Sequence, residues 1–460
     1  MRLGILPLGR PTFDVPYAKS KLAMMLTALD ATDHAILGPR ELLFDEVATL
    51  AGIEQLKAEN VDQVLLLQVT FTDASMVVAA AKEFQQPLSV WAISEPRSGD
   101  RLRLNAFCGL NLASHALRRN GRQFSWLYAD PEVEIAKDLA ALLNGERCAG
   151  TLRAGPVPDA TDAGRRIADT VRGQRIGRVG ERPIGFHTCD YSSQAIEKFS
   201  GVRVDALELD DLFASAKTAT NEQTLALRGS VEKGVDGLSE LDQEQLDRSL
   251  RLKIGLDNLR NEGGYDAFAI RCWPETFTEY GGAICGPAGI LNEAKVPCAC
   301  EADVYGALTQ LILMEVSGTP VFLTDLVDMD AEDDTGVVWH CGQAPLSMCN
   351  AKVAPQATVH TNRRQPLLYE FTLKPGVVTL MRISQADESP HMVLTAARML
   401  DRPMAHTGTS GVLRFFDPVD DTLERIISSG LEHHMALAYG DHRVTLRGVA
   451  GAMNLPILEI

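Results

Sequence analysis

Acidic side chains follow two short apolar runs in the second half of the chain. A run ending near Cys272 is followed by Glu275 and Glu279, and a second run is followed by Glu301 and Asp303. Both runs have the composition of buried strands, and ligands of open α/β sheets gather just beyond the carboxyl ends of strands. Carboxylate oxygens are the ligands that hard divalent cations such as Mn²⁺ and Mg²⁺ prefer. The two segments are therefore candidates for a metal site, with surface charge as the ordinary alternative for each acidic residue.

Histidines near other apolar runs are candidates for the same site. His433 and His434 are adjacent, and because neighbouring side chains of a strand point to opposite faces, we expect at most one of them to reach a common site. His340 follows Trp339 at the end of another predicted strand. We expect His340 to be a substrate contact or a fourth ligand, with a buried structural role as the alternative.

Ordinary structural roles compete with these assignments. Asp303 precedes an apolar helix and could cap it. Cys298 and Cys300 have no second pair at zinc-finger spacing, which favours a packed strand face over a structural zinc site. Neither GxGxxG nor GxxxxGK[ST] follows a strand, which counts against NAD or ATP as the principal cofactor.

The elements that position these side chains alternate between apolar runs and amphipathic stretches. Residues 1–160 follow a βαβα order, which predicts a parallel sheet with helices on both faces. A second α/β unit covers residues 161–317, and short β-rich runs bounded by Pro, Gly and Asp fill residues 318–460. We predict two doubly wound, Rossmann-like parallel-sheet domains followed by a β-rich, antiparallel, barrel-like C-terminal domain. In the second unit the predicted strands are 182–186, 202–207 and 267–272.

Composition restricts the class of protein. The chain has 460 residues, and its 61 acidic and 44 basic side chains give a net charge of −17, which disfavours a nucleic-acid partner. We find no apolar run approaching 18 residues, and Pro7 and Gly9 interrupt the N-terminal run, so we expect neither a membrane span nor a signal peptide. Nine irregularly spaced cysteines indicate reduced thiols and a cytoplasmic location.

Two segments resemble the metal-binding segments of the L-fucose isomerase family. The segment 298–303 opens a helix, and His434 is followed five residues later by Tyr439. The interval of 24 residues from Glu279 to Asp303 is similar to the Glu-to-Asp interval of that family. In the related L-arabinose isomerases a Gly-Glu-Gly-Asp motif and a His-His pair occupy the corresponding segments, and both have counterparts here.

The N-terminal unit adds Thr70 and Phe71, which look like the Thr-Phe turn that faces the sugar in arabinose isomerases. The resemblance implies a metal-dependent aldose-ketose isomerase that acts on an open-chain monosaccharide through a cis-enediol(ate). The substrate contacts that we expect are Thr70, Phe71, Trp273, Glu301, Trp339, His340, His433 and Tyr439.

The resemblance also implies the roles of the central residues. Glu279, Asp303 and His434 would bind Mn²⁺, with Mg²⁺ or Co²⁺ as alternatives, and the two carboxylates would transfer protons. Glu275 competes with Glu279, and Glu301 with Asp303, for the acidic positions. A metal-dependent epimerase or lyase would use the same residues, and a non-catalytic sugar-binding protein would share the two α/β domains. The family implies a homo-oligomer, a hexamer or tetramer, in which the N-terminal domain covers the site of a neighbouring subunit.

Overall fold

The computed structural model describes residues 1–387 and 389–460, which form three sheets in succession along the chain. The first sheet has the strand order β2-β1-β3-β4-β5-β6. Its strands are β1 (Arg2–Leu8), β2 (Ala35–Leu37), β3 (Gln63–Gln68), β4 (Leu88–Ala92), β5 (Phe124–Tyr128) and β6 (Cys148–Ala149). The helices between them are α1 (Val15–Asp30), α2 (Glu46–Ala58), α3 (Ser75–Glu83), α4 (Ala106–Arg119) and α5 (Ala136–Leu143).

Strands β1 to β5 pair in parallel, and β6 pairs antiparallel with β5. Every residue of β3 is buried, because helices cover both faces of the sheet, and this explains its continuous apolar sequence. The prediction of a Rossmann-like parallel sheet is confirmed here.

The central sheet is also parallel, with the order β10-β9-β7-β8. Its strands are β7 (Arg175–Val179), β8 (Arg203–Leu207), β9 (Ala267–Ile270) and β10 (Cys298–Ala299). Its helices are α6 (Asp162–Val171), α7 (Ser193–Ser200), α8 (Leu209–Lys217), α9 (Asn221–Val231), α10 (Gln243–Gly263), α11 (Cys285–Glu293) and α12 (Val304–Ser317).

One predicted strand of this sheet is wrong. Residues 182–186 form no strand. The first strand of the central sheet along the chain is β7, which ends a few residues before 182. Pro183 has no N–H to offer a sheet, and Gly185 adopts a φ of 79° that a strand does not contain. The arginines in β7 interrupt its apolar run, so the sequence pattern does not indicate a strand there, although Arg178 is buried.

The third sheet contains β11 (Phe322–Asp330), β12 (Thr335–His340), β13 (Gln356–Thr358), β14 (Leu368–Thr372), β15 (Gly376–Ser384), β16 (His391–Met399), β17 (Thr409–Phe415), β18 (His434–Tyr439) and β19 (Ile457–Glu459). Six of these strands close an antiparallel barrel in the order β11-β12-β17-β16-β15-β18, and β18 pairs back to β11. The predicted barrel-like domain is confirmed. Two helices, α13 (Val419–Ser429) and α14 (Arg443–Ala452), complete this part of the chain.

Buried helices fix the three sheets relative to one another. Every residue of α4 except Arg119 is buried, and the hydroxyl of Ser114 donates to the carbonyl of Ile427 at the end of α13 over 2.7 Å. Helix α6 crosses α14 where Gly164 meets Gly448. The three sheets are therefore held together by buried helix contacts. Across the described part of the chain, no helix is both long enough and apolar enough to cross a membrane.

Candidate active site

A cavity of about 300 Å³ lies where the three sheets meet. Each part of the chain contributes to its wall. The N-terminal part supplies Arg10, Phe71 and Asn105, the central part supplies Trp273, Phe277 and Glu301, and the C-terminal part supplies Asp325, Trp339, His340, Arg363 and His433. Aromatic side chains thus line a cavity with carboxylates and imidazoles at one end.

Barrel strands position Asp325, His434 and His340. Asp325 on β11 lies opposite His434 on β18 and opposite Trp339 on β12 in the strand register. The Nε2 atom of His434 is 3.5 Å from Oδ1 of Asp325, and ligand atoms of Asp325, His340 and His434 all lie within 4.8 Å of one another. The Oδ1 atom of Asp325 is buried without a hydrogen-bond partner among the described residues. Such an atom is costly unless it binds a ligand.

Glu301 approaches the same point from the end of β10. Glu301 and Ala302 have φ values of 60° and 53°, in the left-handed region that side chains other than glycine seldom occupy. This turn brings Oε2 of Glu301 to 3.0 Å from Nε2 of His433 and 3.8 Å from Nε2 of His434. The indole N–H of Trp273 donates to Oε1 of Glu301 over 3.1 Å. Two strained residues in sequence are expected where a carboxylate must be aimed at a functional site.

The Glu301 carboxylate is held in its ionised form. Burial by itself raises the pKa of Glu301, but the hydrogen bond from His433 and the charges of His433 and His434 outweigh burial and set the pKa below its usual value. The same hydrogen bond raises the pKa of His433 against the opposing effect of burial. Glu301 and His433 therefore form a buried, charge-assisted pair.

Asp303 lies behind His434 and does not line the cavity. Its Oδ1 accepts from the N–H of Gly306, which caps α12, and its Oδ2 is 2.9 Å from Nδ1 of His434. The Arg382 guanidinium donates to both oxygens over 2.5 and 3.0 Å. Although burial opposes it, the charge of Arg382 holds the pKa of Asp303 well below its usual range. A carboxylate in this position orients the imidazole, so that Nδ1 carries the proton and the lone pair of Nε2 lies beside Asp325 and Glu301.

His434 is neutral as well as oriented. Burial and the charge of His433 lower its pKa despite the hydrogen bond to Asp303. A metal ligand must be the neutral imidazole, so this environment suits ligation.

Glu279 and Glu275 lie away from this cluster. Glu279 is exposed in a π-helical turn, Thr276–Tyr280, and it does not line the cavity. Glu275 accepts from Nε of Arg271 over 2.6 Å and forms an ion pair there. The structure therefore does not bring either carboxylate of this segment to His434.

Two predicted substrate contacts also lie outside the cavity wall. The hydroxyl of Thr70 accepts from the backbone N–H of Arg10 over 2.8 Å, and the Tyr439 hydroxyl donates to the carbonyl of Lys374 over 2.5 Å. Thr70 thus supports the backbone of a cavity residue. The other predicted contacts line the wall, namely Phe71, Trp273, Glu301, Trp339, His340 and His433.

Both members of the histidine pair reach Glu301, contrary to the expectation that at most one would do so. The reason is that β18 begins at His434, so His433 precedes the strand and the alternation of side chains does not apply to it. His433 packs edge-on against Phe186, with ring centroids 6.1 Å apart.

Sequence reasoning missed Asp325, Arg10 and Arg363. A signal for Asp325 exists, since it is an acidic residue within an apolar run, and the same 24-residue interval that separates Glu279 from Asp303 also separates Glu301 from Asp325. No comparable signal marks the two arginines, because they lie far apart in the sequence.

A second set of ligand atoms contains Cys189, Glu301 and His434. Burial, together with the charges of Asp303 and Glu301, raises the pKa of the Cys189 thiol well above its usual value. A protonated thiol is a poor ligand, because the thiolate is the form that binds metal. The oxygen and imidazole atoms of Glu301, Asp325 and His434 are the better candidates.

A buried carboxylate–imidazole cluster lies in a cavity of about 300 Å³, between two α/β sheets and a barrel, which suits an enzyme that transfers protons on a small polar substrate. Residues 4–153 match the family described as Fucose/sulfoquinovose isomerase, N-terminal domain. The chain is 30% identical over 460 residues to the sulfoquinovose isomerase of Alkalicoccus urumqiensis, covering 99% of this chain and 98% of that protein. It is 28% identical to the sulfoquinovose isomerase of Priestia megaterium (strain ATCC 12872 / QMB1551), covering 98% and 97% of the two chains.

A third relative, the sulfoquinovose isomerase of Clostridium sp. (strain MSTE9), is 29% identical, with coverage of 99% and 98%. The chain belongs to the fucose/sulfoquinovose isomerase family. It is a sugar aldose-ketose isomerase, which confirms the class that the sequence motifs predicted.

Proposed function

We propose that this isomerase requires a divalent cation and interconverts a 6-sulfonated aldohexose with the corresponding ketose. The proposed ligands are Glu301, Asp325 and His434. His340, whose Nδ1 accepts from the N–H of Cys341 over 2.9 Å, is proposed as a substrate contact. The observation that carries the proposal is the position of Nε2 of His434, 3.5 Å from an unpartnered oxygen of Asp325 and 3.8 Å from Glu301. Ligand atoms around one cation, each about 2.1 Å from it, lie about 3 to 4 Å apart.

The donor set favours a hard cation. Two carboxylates and neutral imidazole suit Mn²⁺, with Mg²⁺ and Co²⁺ as alternatives. When bound, such a cation polarises the sugar carbonyl and stabilises the negative charge that develops on the neighbouring oxygen. Glu301 and Asp325 take the positions that the sequence motifs suggested for Glu279 and Asp303, because Glu279 is exposed and both oxygens of Asp303 are engaged by Arg382.

The chain's own carboxylates carry the proton. In the forward direction a proton leaves C2 of the aldose and returns to C1, while the proton on O2 moves to O1, so the composition of the sugar is unchanged. We assign the removal from C2 to the Glu301 carboxylate, because its lowered pKa keeps it ionised. Asp325, whose Oδ1 also lies beside Nε2 of His434, is the second proton-transfer group.

The substrate assignment is supported by the relatives named sulfoquinovose isomerase. Sulfoquinovose is a glucose in which a sulfonate replaces the hydroxyl on C6. The cavity offers aromatic walls in Phe71, Trp273 and Trp339, which suit the apolar faces of a sugar chain.

The first experiment follows sulfoquinovose by NMR in D₂O with the metal-stripped protein, before and after addition of Mn²⁺. We expect metal-dependent formation of the ketose with deuterium incorporation. A C2 epimer as the only product would replace the isomerase assignment by an epimerase, and unchanged activity after metal stripping would contradict the metal dependence.

Three variants locate the proposed residues. Glu301→Gln and Asp325→Asn should each reduce turnover by at least about 100-fold, the scale of a lost general base. Glu279→Gln is the matched control, since it makes the same change at an exposed carboxylate of the earlier segment. If Glu279→Gln abolished turnover and Glu301→Gln did not, the assignment of Glu301 would be wrong.

Assembly and location form a separate part of the proposal. The family resemblance supports a homo-oligomer, a tetramer or hexamer, and light scattering of the purified protein measures this directly. The nine cysteines are all free thiols, which supports a location in the reducing cytoplasm.

A further inference from the structure

We propose that Arg10 and Arg363 form an anion clamp on Trp273 that binds the sulfonate at C6 of the substrate. The proposal rests on the function proposed above, because it assigns the specificity of the same cavity. It concerns two arginines that have no role at the carboxylate–imidazole end.

The two guanidinium groups converge on one side chain. The Cζ atom of Arg10 lies 5.3 Å from the Trp273 ring centroid, and the Cζ atom of Arg363 lies 5.1 Å from it. Arg10 also lies 5.7 Å from the Phe71 ring, and Arg363 lies 5.2 Å from the Phe277 ring. All of these residues line the cavity. Aromatic faces attract cations, and they also fix the planes of the two guanidinium groups.

Different domains supply the two charges. Arg10 follows β1 in the first sheet, and Arg363 lies in the loop between β13 and β14. Neither arginine is needed to connect the domains, because burial of α4 and the crossing of α6 with α14 already do so. Two cations held together in a partly buried cavity repel each other. Burial and the charge of Arg363 lower the pKa of Arg10, even though the charge of Asp73 acts to raise it. An anion between them relieves this repulsion.

The charge balance favours a monoanion. Nη2 of Arg10 lies 3.7 Å from Oδ2 of Asp73, so one positive charge is already partly neutralised. The guanidinium of Arg363 forms neither an ion pair nor a side-chain hydrogen bond with any residue that the structure describes. About one positive charge is left over, which matches a sulfonate better than a phosphate ester, whose charge is about −1.5 to −2 at neutral pH.

Trp273 links the clamp to the reacting end of the cavity. The indole N–H of Trp273 donates to Glu301 over 3.1 Å, while its ring carries the two arginines. A six-carbon chain in extended form, laid along the indole, has C1 and C2 next to Glu301 and the C6 substituent next to the guanidinium groups. The clamp therefore sets both which sugar binds and which of its ends reacts.

The test compares sulfoquinovose with glucose and with glucose 6-phosphate for the wild type, Arg10→Gln and Arg363→Gln. Charge-assisted hydrogen bonds of this kind correspond to a change of about 10- to 100-fold. Each variant should raise KM for sulfoquinovose by that factor with little change in kcat, while KM for glucose changes less than about threefold. Arg364→Gln is the matched control, because it removes the same charge from the next residue, which is exposed and outside the cavity wall.

A binding measurement separates this proposal from the proposed function. Calorimetric titration with 6-deoxy-6-sulfoglucitol, which has no carbonyl and cannot turn over, should give weaker binding for both clamp variants. If the wild type binds this alditol through Arg363 but isomerises no sugar, the clamp stands and the proposed function fails.

Three results would overturn the clamp. One is that the wild type isomerises sulfoquinovose and that both variants, although folded, have the wild-type KM for it. Another is an equal loss for sulfoquinovose and glucose, which would mean a structural role. A tenfold preference of the wild type for glucose 6-phosphate over sulfoquinovose would assign the clamp to phosphate instead.

Discussion

Replacing Asp303 by asparagine tests whether this residue orients His434 or binds the cation itself. Asp303 receives two hydrogen bonds from Arg382, at 2.5 and 3.0 Å, and its side chain and that of Arg382 are at most 1% exposed. Asparagine preserves the shape of the side chain and the acceptor for the N–H of Gly306 at 2.8 Å. The substitution therefore removes mainly a charge.

The expected loss follows from that burial. Removing one partner of a buried ion pair costs about 3 to 5 kcal/mol. We expect the lower end, about 3 kcal/mol, because asparagine still accepts a hydrogen bond and Glu432 lies 4.0 Å from Nε of Arg382. Loss of a carboxylate that orients a ligand histidine weakens metal binding by about 10- to 100-fold, whereas loss of a ligand would abolish binding at micromolar Mn²⁺.

Urea denaturation and calorimetric titration with Mn²⁺ measure the two effects on the same samples. Asp333→Asn is the control, since Asp333 pairs with Arg402 at the surface, where the side chains are 32% and 39% exposed. This control should cost at most about 1 kcal/mol and leave Mn²⁺ binding unchanged. Wild-type stability and Mn²⁺ affinity in Asp303→Asn would refute the orienting role, and complete loss of Mn²⁺ binding with full stability would make Asp303 a ligand.

Two further predictions concern stability. His406 is buried without a hydrogen-bond partner for its ring nitrogens among the described residues, and burial with the charge of Arg97 lowers its pKa to about 4. The unfolded imidazole has a pKa near 6.5, so the free energy of unfolding should fall as pH drops from about 6.5 to 4. His406→Phe should remove up to about 3 kcal/mol of that loss. Identical dependence of stability on pH in the wild type and the variant would contradict this. In Gly164→Ala the new Cβ would lie 2.1 Å from backbone atoms of Gly448, so the free energy of unfolding should fall by about 1 to 3 kcal/mol or more. In Gly229→Ala the new Cβ has nothing within 4 Å, so the substitution should stabilise α9 by up to about 1 kcal/mol. Equal melting temperatures for the two glycine variants would count against the close crossing of α6 and α14.

Apolar periodicity was sufficient to predict the architecture. Helices on both faces make the parallel strands continuously apolar, and the barrel strands are short and bounded by turn residues, so each part carries its own local pattern. The prediction failed at β7, where arginines interrupt the apolar run and where Arg178 is nevertheless buried. Tertiary packing can bury a polar side chain that a local pattern assigns to the surface.

The sequence by itself predicted the class of enzyme, from carboxylates at strand ends, a late histidine pair and a 24-residue interval between acids. It did not show which acids lie beside His434, because three successive segments offer them, after β9, after β10 and within β11. The tertiary structure shows this: the antiparallel register of β11 with β18 sets Asp325 opposite His434. Asp303 lies at the other nitrogen of His434, where Arg382 donates to it. The meeting of Arg10 and Arg363 on Trp273 is likewise a property of three domains packed together, which no local pattern contains.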